Sequence, residues 1–198
     1  MIAIIDYGAG NLRSITNAFA KIGVEVEVAS TANAVSEADA LVLPGVGNFG
    51  DAMKKLAPLK KEIVASVESG KPFLGLCLGI QVILEESEES PRVNGLGLIG
   101  GECRRFSGKL KVPHMGWNTI DVVKKTPLLS GIKSGEFFYF VHSYYPLPKD
   151  RGAVSAETEY GKKFASVISK GNIHATQFHP EKSGDAGLRV LENFAGLL

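Results

Sequence analysis

The sequence predicts an α/β fold with a mixed, mostly parallel central sheet and helices on both faces. In its first half, apolar runs of strand length alternate with stretches of helical periodicity, as in parallel sheets whose connecting helices cover both faces. In its second half, strand candidates follow one another closely between turns rich in Gly, Pro and Lys. We expect these later strands to extend the same sheet in antiparallel orientation.

The first half contains alternating strand and helix candidates. Strands are predicted at Ile2–Asp6, at Val24–Ala29 near a sheet edge, at Ala40–Leu43 and at Pro72–Leu76. Helical spacing of apolar residues predicts helices at Asn11–Ile22, Phe49–Leu56, Ile63–Val67 and Leu78–Glu86.

The second half is richer in strands. They are predicted at Glu102–Phe106, Trp117–Val123, Glu136–His142, Ala153–Glu157, Ala165–Ser169 and Ile173–Phe178. A last helix, Ala186–Leu197, carries a single apolar stripe. Because no repeat, low-complexity tract or Gly/Ser linker interrupts the sequence, we expect one domain over residues 1–198.

The composition excludes several classes of protein. The 22 basic and 21 acidic side chains leave a net charge of +1, which gives no extended field for nucleic acid or an anionic membrane. The longest nearly uncharged apolar stretch, Pro72–Leu84, is too short for a membrane span, and the N-terminal residues lack the basic region of a signal peptide. Two cysteines are too few for a disulfide scaffold. We expect a cytoplasmic protein without a metal or cofactor.

The strongest local motif is G-x-C-x-G at Gly75–Gly79, between the apolar strand Pro72–Leu76 and the helix that follows. This is the thiol form of a nucleophile elbow, in which small residues flank a sharp turn and the nucleophile is held in a strained conformation. Cys77 would then lie at a helix N-terminus, where backbone N–H groups favour the thiolate. A cysteine that is merely buried in a core strand is the alternative. The flanking glycines favour a catalytic nucleophile.

A nucleophilic cysteine needs a base, and the sequence offers His179 with Glu181. In extended backbone the two side chains project to the same side, and Pro180 between them disfavours a helix at His179. A carboxylate beside an imidazole fixes its tautomer and stabilises the imidazolium. The same pair is also compatible with a metal site or an ordinary surface loop. No further His or Cys stands at a plausible ligand spacing, so we favour a catalytic triad.

Glycines also follow two other predicted strands. Pro44–Gly47 would place backbone N–H groups at the carboxyl end of a parallel strand, where α/β enzymes bind ligands. Such a segment suits either an oxyanion hole or a simple turn. Gly8–Arg13 has the start of a dinucleotide fingerprint, but Arg13 stands where the third glycine belongs. A tight turn with Asn11 as helix N-cap is the better interpretation.

The remaining histidines and the second cysteine give weaker signals. His114 lies beside the only tryptophan, and His142 ends a very aromatic strand. We interpret both as packed or interfacial rather than catalytic. His174 is predicted to occupy a solvated strand position, and Cys103, which has no elbow around it, is predicted to be structural.

Together these segments resemble the class I (triad) glutamine amidotransferases over nearly the whole chain. The motifs of the class stand at Pro44–Gly47, Gly75–Gln81 and His179–Glu181. Further segments resemble one branch of that family, the glutaminase subunits that serve a separate cyclase in histidine biosynthesis: Asp6–Asn11, Pro113–Asn118, His142–Tyr144 and Gln177–Ser183.

The resemblance implies a reaction and the residues that perform it. Cys77 attacks the side-chain amide of glutamine, His179 transfers the proton and Glu181 orients His179. Ammonia leaves, and water hydrolyses the thioester to glutamate. The resemblance also implies backbone oxyanion donors at Val46 and Leu78, glutamine-binding residues at Gln81, Glu89, Ser143 and Tyr144, and a partner face near Met115, Trp117 and Lys182.

The implied partner is a separate (β/α)8-barrel cyclase, which forms a heterodimer with such a subunit and receives its ammonia internally. That cyclase makes imidazole glycerol phosphate and an aminoimidazole carboxamide ribotide. Three alternatives remain open. The glutaminase of a pyridoxal phosphate synthase would not be expected to carry the segment His114–Asn118. A non-catalytic binding relative would have no need of an intact triad, and a stand-alone hydrolase of γ-glutamyl compounds would act without a partner.

Overall fold

The computed structural model describes all 198 residues as thirteen strands and five α-helices. The strands are β1 (Ile2–Ile5), β2 (Val26–Ala29), β3 (Ala40–Leu43), β4 (Phe73–Leu76), β5 (Glu86–Ser87), β6 (Gly101–Arg105), β7 (His114–Thr119), β8 (Asp121–Val122), β9 (Phe137–His142), β10 (Tyr144–Pro148), β11 (Val154–Glu159), β12 (Lys163–Lys170) and β13 (Ile173–Thr176). The helices are α1 (Leu12–Lys21), α2 (Ala32–Glu37), α3 (Phe49–Glu68), α4 (Leu78–Val82) and α5 (Gly184–Ala195).

Eight of the strands form the central sheet, in the order β2-β1-β3-β4-β13-β12-β11-β8. The pairs from β2 to β13 are parallel, and those from β13 to β8 are antiparallel. β2 lies at one edge, as its alternating sequence predicts. Since the carboxyl ends of parallel strands meet at one edge of a sheet, the segments after β3, β4 and β13 come together there.

Helices cover both faces of this sheet. Alternate residues of β1 point to opposite faces, so that Ala3 and Ile5 pack in one core and Ile2 and Ile4 in another. The first core includes buried residues of α2, α3 and α4, and the second includes those of α1 and α5. The predicted fold class, a mostly parallel sheet between helices, is confirmed. None of the helices combines the length and the apolar composition that crossing a membrane requires.

The sequence predicts that all the later strands extend the central sheet, and this prediction is wrong for several of them. β10, β6 and β5 form a separate three-stranded sheet, and β7 pairs with β9 in a two-stranded sheet. The predicted strand Trp117–Val123 is therefore wrong, because β7 and β8 lie in different sheets. An alternating pattern identifies a half-buried strand but not the sheet to which it belongs.

The predicted helices Phe49–Leu56 and Ile63–Val67 are one continuous helix, α3, which includes Pro58. A proline inside a helix costs about 3 kcal/mol. Here a stripe of buried residues runs along the whole length of α3 on both sides of Pro58. Burial of that stripe offsets the cost, since each large apolar side chain contributes roughly 1.5–3 kcal/mol.

Helix α4 is shorter than the predicted Leu78–Glu86, because a following loop binds its last carbonyl groups. The N–H groups of Leu96 and Ile99 donate to the carbonyls of Val82 and Ile83, at 2.7 and 3.0 Å. Gly95 packs so closely that a Cβ atom there would lie 2.0 Å from the carbonyl oxygen of Leu84. The carbonyl groups at the end of α4, which a further turn of helix would otherwise have to satisfy, thus accept hydrogen bonds from the loop, and the helix ends.

The prediction of a solvated His174 is wrong. β13 is an internal strand of the central sheet, and His174 is buried with its Nδ1 atom 3.0 Å from the Ser169 hydroxyl. Alternation does not indicate exposure in a strand whose two faces are both covered. Burial lowers the pKa of His174 to about 4.

This burial predicts a pH dependence of stability. The unfolded state binds the extra proton first, so stability that is fully present above pH 6.5 is lost as the pH falls toward 4. For His174 this loss is at most about 3 kcal/mol. Urea unfolding at a series of pH values should give a smaller acid-induced loss for His174→Asn than for the wild type. Parallel pH profiles of the two proteins would contradict the burial of a neutral imidazole.

Candidate active site

Cys77 occupies the sharp turn between β4 and α4, with φ 55° and ψ −100°. Few side-chain-bearing residues adopt a positive φ, and the position is held by close packing on both sides. A Cβ atom on Gly75 would lie 2.8 Å from the carbonyl carbon of Gly79, and one on Gly79 would lie 2.3 Å from the carbonyl oxygen of Leu43. Only glycine fits at either position. The predicted elbow is therefore present as a backbone structure.

His179 and Glu181 follow β13, the strand beside β4. The His179 Nδ1–H group donates to Glu181 Oε1 at 2.8 Å, and both side chains are buried. The His179 Nε2 atom is buried without a hydrogen-bond partner. The backbone of His179 is held by its N–H bond to the Tyr139 carbonyl at 2.9 Å. The imidazole is thus oriented through Nδ1, while Nε2 remains available for another group.

The electrostatics of His179 depend on its two neighbours. Burial by itself lowers the pKa of His179, but interactions with the Cys77 sulfur and the Glu181 carboxylate outweigh it and raise the pKa to about 10. The imidazolium form is therefore stabilised beside the sulfur. This is the electrostatic arrangement that a cysteine nucleophile and its base require.

One cavity of about 360 Å³ brings together most of the predicted site residues. Its lining includes the following eight of them: Val46, Cys77, Leu78, Gln81, Glu89, Ser143, Tyr144 and His179. These residues come from separate parts of the chain, and the carboxyl edge of the central sheet carries several of them. Glu181 does not line this cavity and contacts His179 from behind. The volume suits a small ligand.

Two of the predicted glutamine-binding side chains are fixed by hydrogen bonds. The Nε2 amide of Gln81 donates to the Tyr144 carbonyl at 3.0 Å and to Gln177 Oε1 at 3.2 Å. Glu89 Oε2 accepts from the backbone N–H of Phe49, the first residue of α3, at 2.6 Å. A carboxylate is favoured at that helix end, which places the Glu89 charge at the cavity wall.

The two predicted oxyanion donors lie close together but are not both free. The N–H group of Leu78 donates to the Gly45 carbonyl at 3.4 Å, and that carbonyl belongs to the same peptide unit as the Val46 N–H. Just before it, the Pro44 carbonyl accepts from the buried Tyr7 hydroxyl at 3.0 Å. A Cβ atom on Gly45 would lie only 2.7 Å from both the Leu78 Cβ and the Tyr7 hydroxyl.

The three residues predicted for a partner face lie outside the cavity. Met115 and Trp117 project from the same face of β7 and are 62% and 56% exposed. Trp117 packs edge-on against Tyr139 with ring centroids 6.1 Å apart, and the Lys182 ammonium lies 5.9 Å from the same Tyr139 ring. Trp117 and Lys182 thus share one neighbour on the surface.

Sequence reasoning missed three residues around Cys77. Gln177 Nε2 donates to the Cys77 carbonyl at 3.5 Å, and the Cys77 thiol lies 3.8 Å from the Val141 carbonyl. His142, interpreted as packed or interfacial, is packed and also lines the cavity. Nothing in the local sequence signals these contacts, because each depends on tertiary pairing of distant strands.

The other candidate motifs have structural explanations. The Asn11 side chain accepts from the N–H of Ser14 at 3.2 Å and caps α1, as the turn interpretation of Gly8–Arg13 predicts. Cys103 is buried, and its thiol donates to the Gln81 carbonyl at 3.7 Å. His, Cys, Asp and Glu side chains do not gather in groups of three or more as metal ligands would.

Because the backbone at Cys77 is strained, the usual order of stability of alanine and glycine variants should be reversed at this position. Cys77→Gly should be more stable than Cys77→Ala by about 1–3 kcal/mol, because glycine adopts a positive φ without steric cost. The matched control is Cys103, which has an ordinary backbone conformation in β6. There the glycine variant should be the less stable one, by about 0.5–1 kcal/mol. Denaturant unfolding of all four variants measures both differences, and the same order at both positions would contradict a strained elbow.

Comparison with known proteins places the chain in a family. Residues 3–196 match the family model described as glutamine amidotransferase class-I. The chain is 56% identical to "Imidazole glycerol phosphate synthase subunit HisH" of Methanothermobacter thermautotrophicus, covering 100% of this chain and 99% of that one. It is 52% identical to the protein of the same name in Methanocaldococcus jannaschii, over 100% of both chains.

Solved structures agree on the fold at lower identity. The structure of PurLQS from Thermotoga maritima superposes with a TM-score of 0.78 at 20% identity, covering 99% of this chain and 97% of that one. A glutamine amidotransferase from the same organism gives a TM-score of 0.64 at 19% identity, covering 100% and 83%. The chain belongs to the class I glutamine amidotransferase family, within the group of imidazole glycerol phosphate synthase HisH subunits.

Proposed function

We propose that the chain hydrolyses glutamine with Cys77, His179 and Glu181 and delivers the ammonia to a separate cyclase subunit. The observation that carries this proposal is one cavity lined by Cys77 and His179 together with the residues predicted as oxyanion donors and glutamine-binding groups. The two relatives described above match along nearly their whole length and are named as imidazole glycerol phosphate synthase subunits, which favours histidine biosynthesis over a pyridoxal phosphate synthase.

The proposed chemistry uses the two ring nitrogens of His179 differently. Because Nδ1–H donates to Glu181, Nε2 is the atom that takes the proton of the Cys77 thiol, and this transfer forms the imidazolium that the sulfur and Glu181 stabilise. The sulfur attacks the side-chain amide carbon of glutamine, and the imidazolium then gives its proton to the departing ammonia. Water, deprotonated by the same Nε2 atom, hydrolyses the γ-glutamyl thioester and restores the thiol. Glu181 keeps the Nδ1–H bond and stabilises the imidazolium each time it forms.

The polar wall of the cavity would hold the amino-acid end of glutamine. Both N–H groups of the Gln81 amide are used within the protein, which leaves its Oε1 atom as an acceptor for the substrate ammonium. Glu89 adds a negative charge at the same wall. Ser143 and Tyr144 line the cavity beside Gln81, and their backbone N–H groups would donate to the carboxylate.

The oxyanion hole would be completed by rotation of one peptide. In the structure the Leu78 N–H donates to the Gly45 carbonyl and is not free for a substrate oxygen. Rotation of the Gly45–Val46 peptide by about half a turn would withdraw that carbonyl and present the Val46 N–H to the same point, and glycine lowers the cost of such a change. The Tyr7 bond to the Pro44 carbonyl would hold the chain just before the rotating unit.

A partner would favour the rotated peptide without supplying a catalytic side chain. The relatives are named as subunits, which implies a second chain, and we propose a (β/α)8-barrel cyclase in that place. The exposed Met115 and Trp117, with Lys182 nearby, suit a protein interface because large apolar side chains there are otherwise left in water.

The first test of this proposal compares the two cysteines in the complex. Cys77→Ala should abolish glutamine-dependent synthesis of imidazole glycerol phosphate, while free ammonium should still support it. Cys103→Ala is the matched control and should retain glutamine-dependent synthesis, because Cys103 lies outside the cavity. Product formation by chromatography measures both. Glutamine-dependent synthesis by Cys77→Ala would refute the proposal.

The second test concerns the rotated peptide. Because one missing oxyanion donor is worth about 10²–10³ in rate, the isolated chain should hydrolyse glutamine slowly. Addition of the cyclase with its ribonucleotide ligand should raise the rate by a similar factor. Coupled detection of glutamate gives both rates for the same preparation. An isolated chain that turns over glutamine at the full rate of the complex would contradict the proposed gating and favour a stand-alone hydrolase.

A further inference from the structure

A chain of buried polar groups lies behind the cavity wall formed by Val141–Tyr144. The His142 Nδ1 atom lies 2.8 Å from the Tyr144 carbonyl, and its Nε2 atom lies 2.9 Å from the Nδ1 atom of His114. The Nε2 atom of His114 lies 3.2 Å from the side-chain nitrogen of Asn118. Neither histidine takes part in the proposed chemistry.

The partners at the two ends assign the protons. A carbonyl oxygen only accepts, so His142 donates from Nδ1 and, when neutral, accepts at Nε2. His114 must then donate from Nδ1 and accept at Nε2, where the Asn118 amide donates. The Asn118 oxygen is already an acceptor for the Thr119 N–H at 2.8 Å, which fixes the direction of its amide. From the Asn118 amide through His114 and His142 to the Tyr144 carbonyl, each group therefore donates to the next.

Aromatic side chains enclose the pair and keep it neutral. His114 is stacked between Phe140 and Tyr160, with ring centroids 5.0 and 4.1 Å away. His142 contacts the rings of Phe106 and Phe164 at 5.3 and 5.1 Å. Burial in this setting lowers the pKa of His114 to about 4 and that of His142 to about 3. Protonation of His142 at Nε2 would place its N–H group against the N–H group of His114 Nδ1, so that the hydrogen bond between them would be lost.

The Tyr144 carbonyl connects this pair to the substrate pocket. It accepts from His142 and also from the Gln81 amide at 3.0 Å, so both of its lone pairs are used. Gln177 Oε1 takes the second N–H of Gln81. The Gln81 amide is thereby held between two acceptors, which determines that its oxygen is the atom left for a ligand.

We propose that His142, supported by His114, is a positioning residue of the glutamine pocket, which fixes the Tyr144 carbonyl and through it the orientation of the Gln81 amide. This inference rests on the proposed glutaminase function. His142 ends β9 and Tyr144 begins β10, and these strands belong to different sheets. The bond from His142 to Tyr144 therefore closes the bend at Ser143, where the chain passes from one sheet to the other.

The test replaces His142 in two ways and compares two reagents. His142→Leu removes the donor, whereas the side-chain amide nitrogen of His142→Asn can replace Nδ1. With the complex, His142→Leu should raise the KM for glutamine by about tenfold or more, the effect of losing one well-placed hydrogen bond. It should slow labelling of Cys77 by 6-diazo-5-oxo-L-norleucine, a glutamine mimic, to a similar extent. Alkylation by iodoacetamide, which does not need the pocket, should stay within about twofold.

His142→Asn should recover most of the affinity for glutamine. His174→Leu is the matched control, since it removes a buried neutral histidine that does not line the cavity, and both reagents should react with it as with the wild type. A KM within about twofold of wild type in His142→Leu would overturn the proposal. So would equal losses with both reagents, which would indicate general damage around Cys77.

A spectroscopic measurement on the wild type needs no variant to fold. Long-range ¹H–¹⁵N spectra of the histidine rings at neutral pH should show both His114 and His142 neutral and protonated at Nδ1. A proton at Nε2 of His142 would overturn the proposal. Failure of the proposed function would be seen differently, as a wild-type complex that does not hydrolyse glutamine, whereas failure of this inference leaves the wild-type activity intact.

Discussion

The close approach of α4 to the ends of β3 and β4 is the constraint on which the site depends. Gly75 and Gly79 leave no room for a Cβ atom, with distances of 2.8 and 2.3 Å to neighbouring backbone atoms, and Cys77 between them takes a φ of 55°. The strained turn lifts the sulfur out of the sheet and ends β4 at the cavity. Its cost, about 1–3 kcal/mol, is offset by the buried strands and helices on each side.

The parallel sheet then supplies the other groups by position. β3 and β13 flank β4 in the central sheet. Pro44–Gly47 and His179 therefore lie at the same edge of the sheet as Cys77, and the order of the strands is enough to place them there. The Cys77 N–H donates to the Thr176 carbonyl at 2.8 Å, which ties Cys77 to β13, the strand that precedes His179. The smaller sheets contribute the opposite wall, from Val141 to Tyr144. The fold thus brings Cys77 and His179 to one cavity, beside the glycine-containing peptide for which we propose a rotation.

Residues in short motifs were predictable from sequence, and those placed by pairing of distant strands were not. The elbow around Cys77 and the spacing of His179 and Glu181 are local patterns, each with a physical reason. By contrast, Gln177 contacts Cys77 only because β13 lies beside β4, and His142 meets His114 only because β9 pairs with β7. The burial of His174 follows from the internal position of its strand. Alternation along one segment contains none of that information.

Trapping the γ-glutamyl thioester on Cys77 tests the proposed mechanism most directly. The complex with its cyclase and ribonucleotide ligand is mixed with L-glutamine, quenched in acid during turnover and digested for mass spectrometry. The digest should contain a γ-glutamyl thioester on the peptide that includes Cys77 and an unmodified peptide around Cys103. His179→Ala should form this adduct much more slowly, because the thiol then lacks its base. Rapid glutamine hydrolysis with the adduct on another residue, or an adduct that forms equally fast in His179→Ala, would contradict the proposed mechanism.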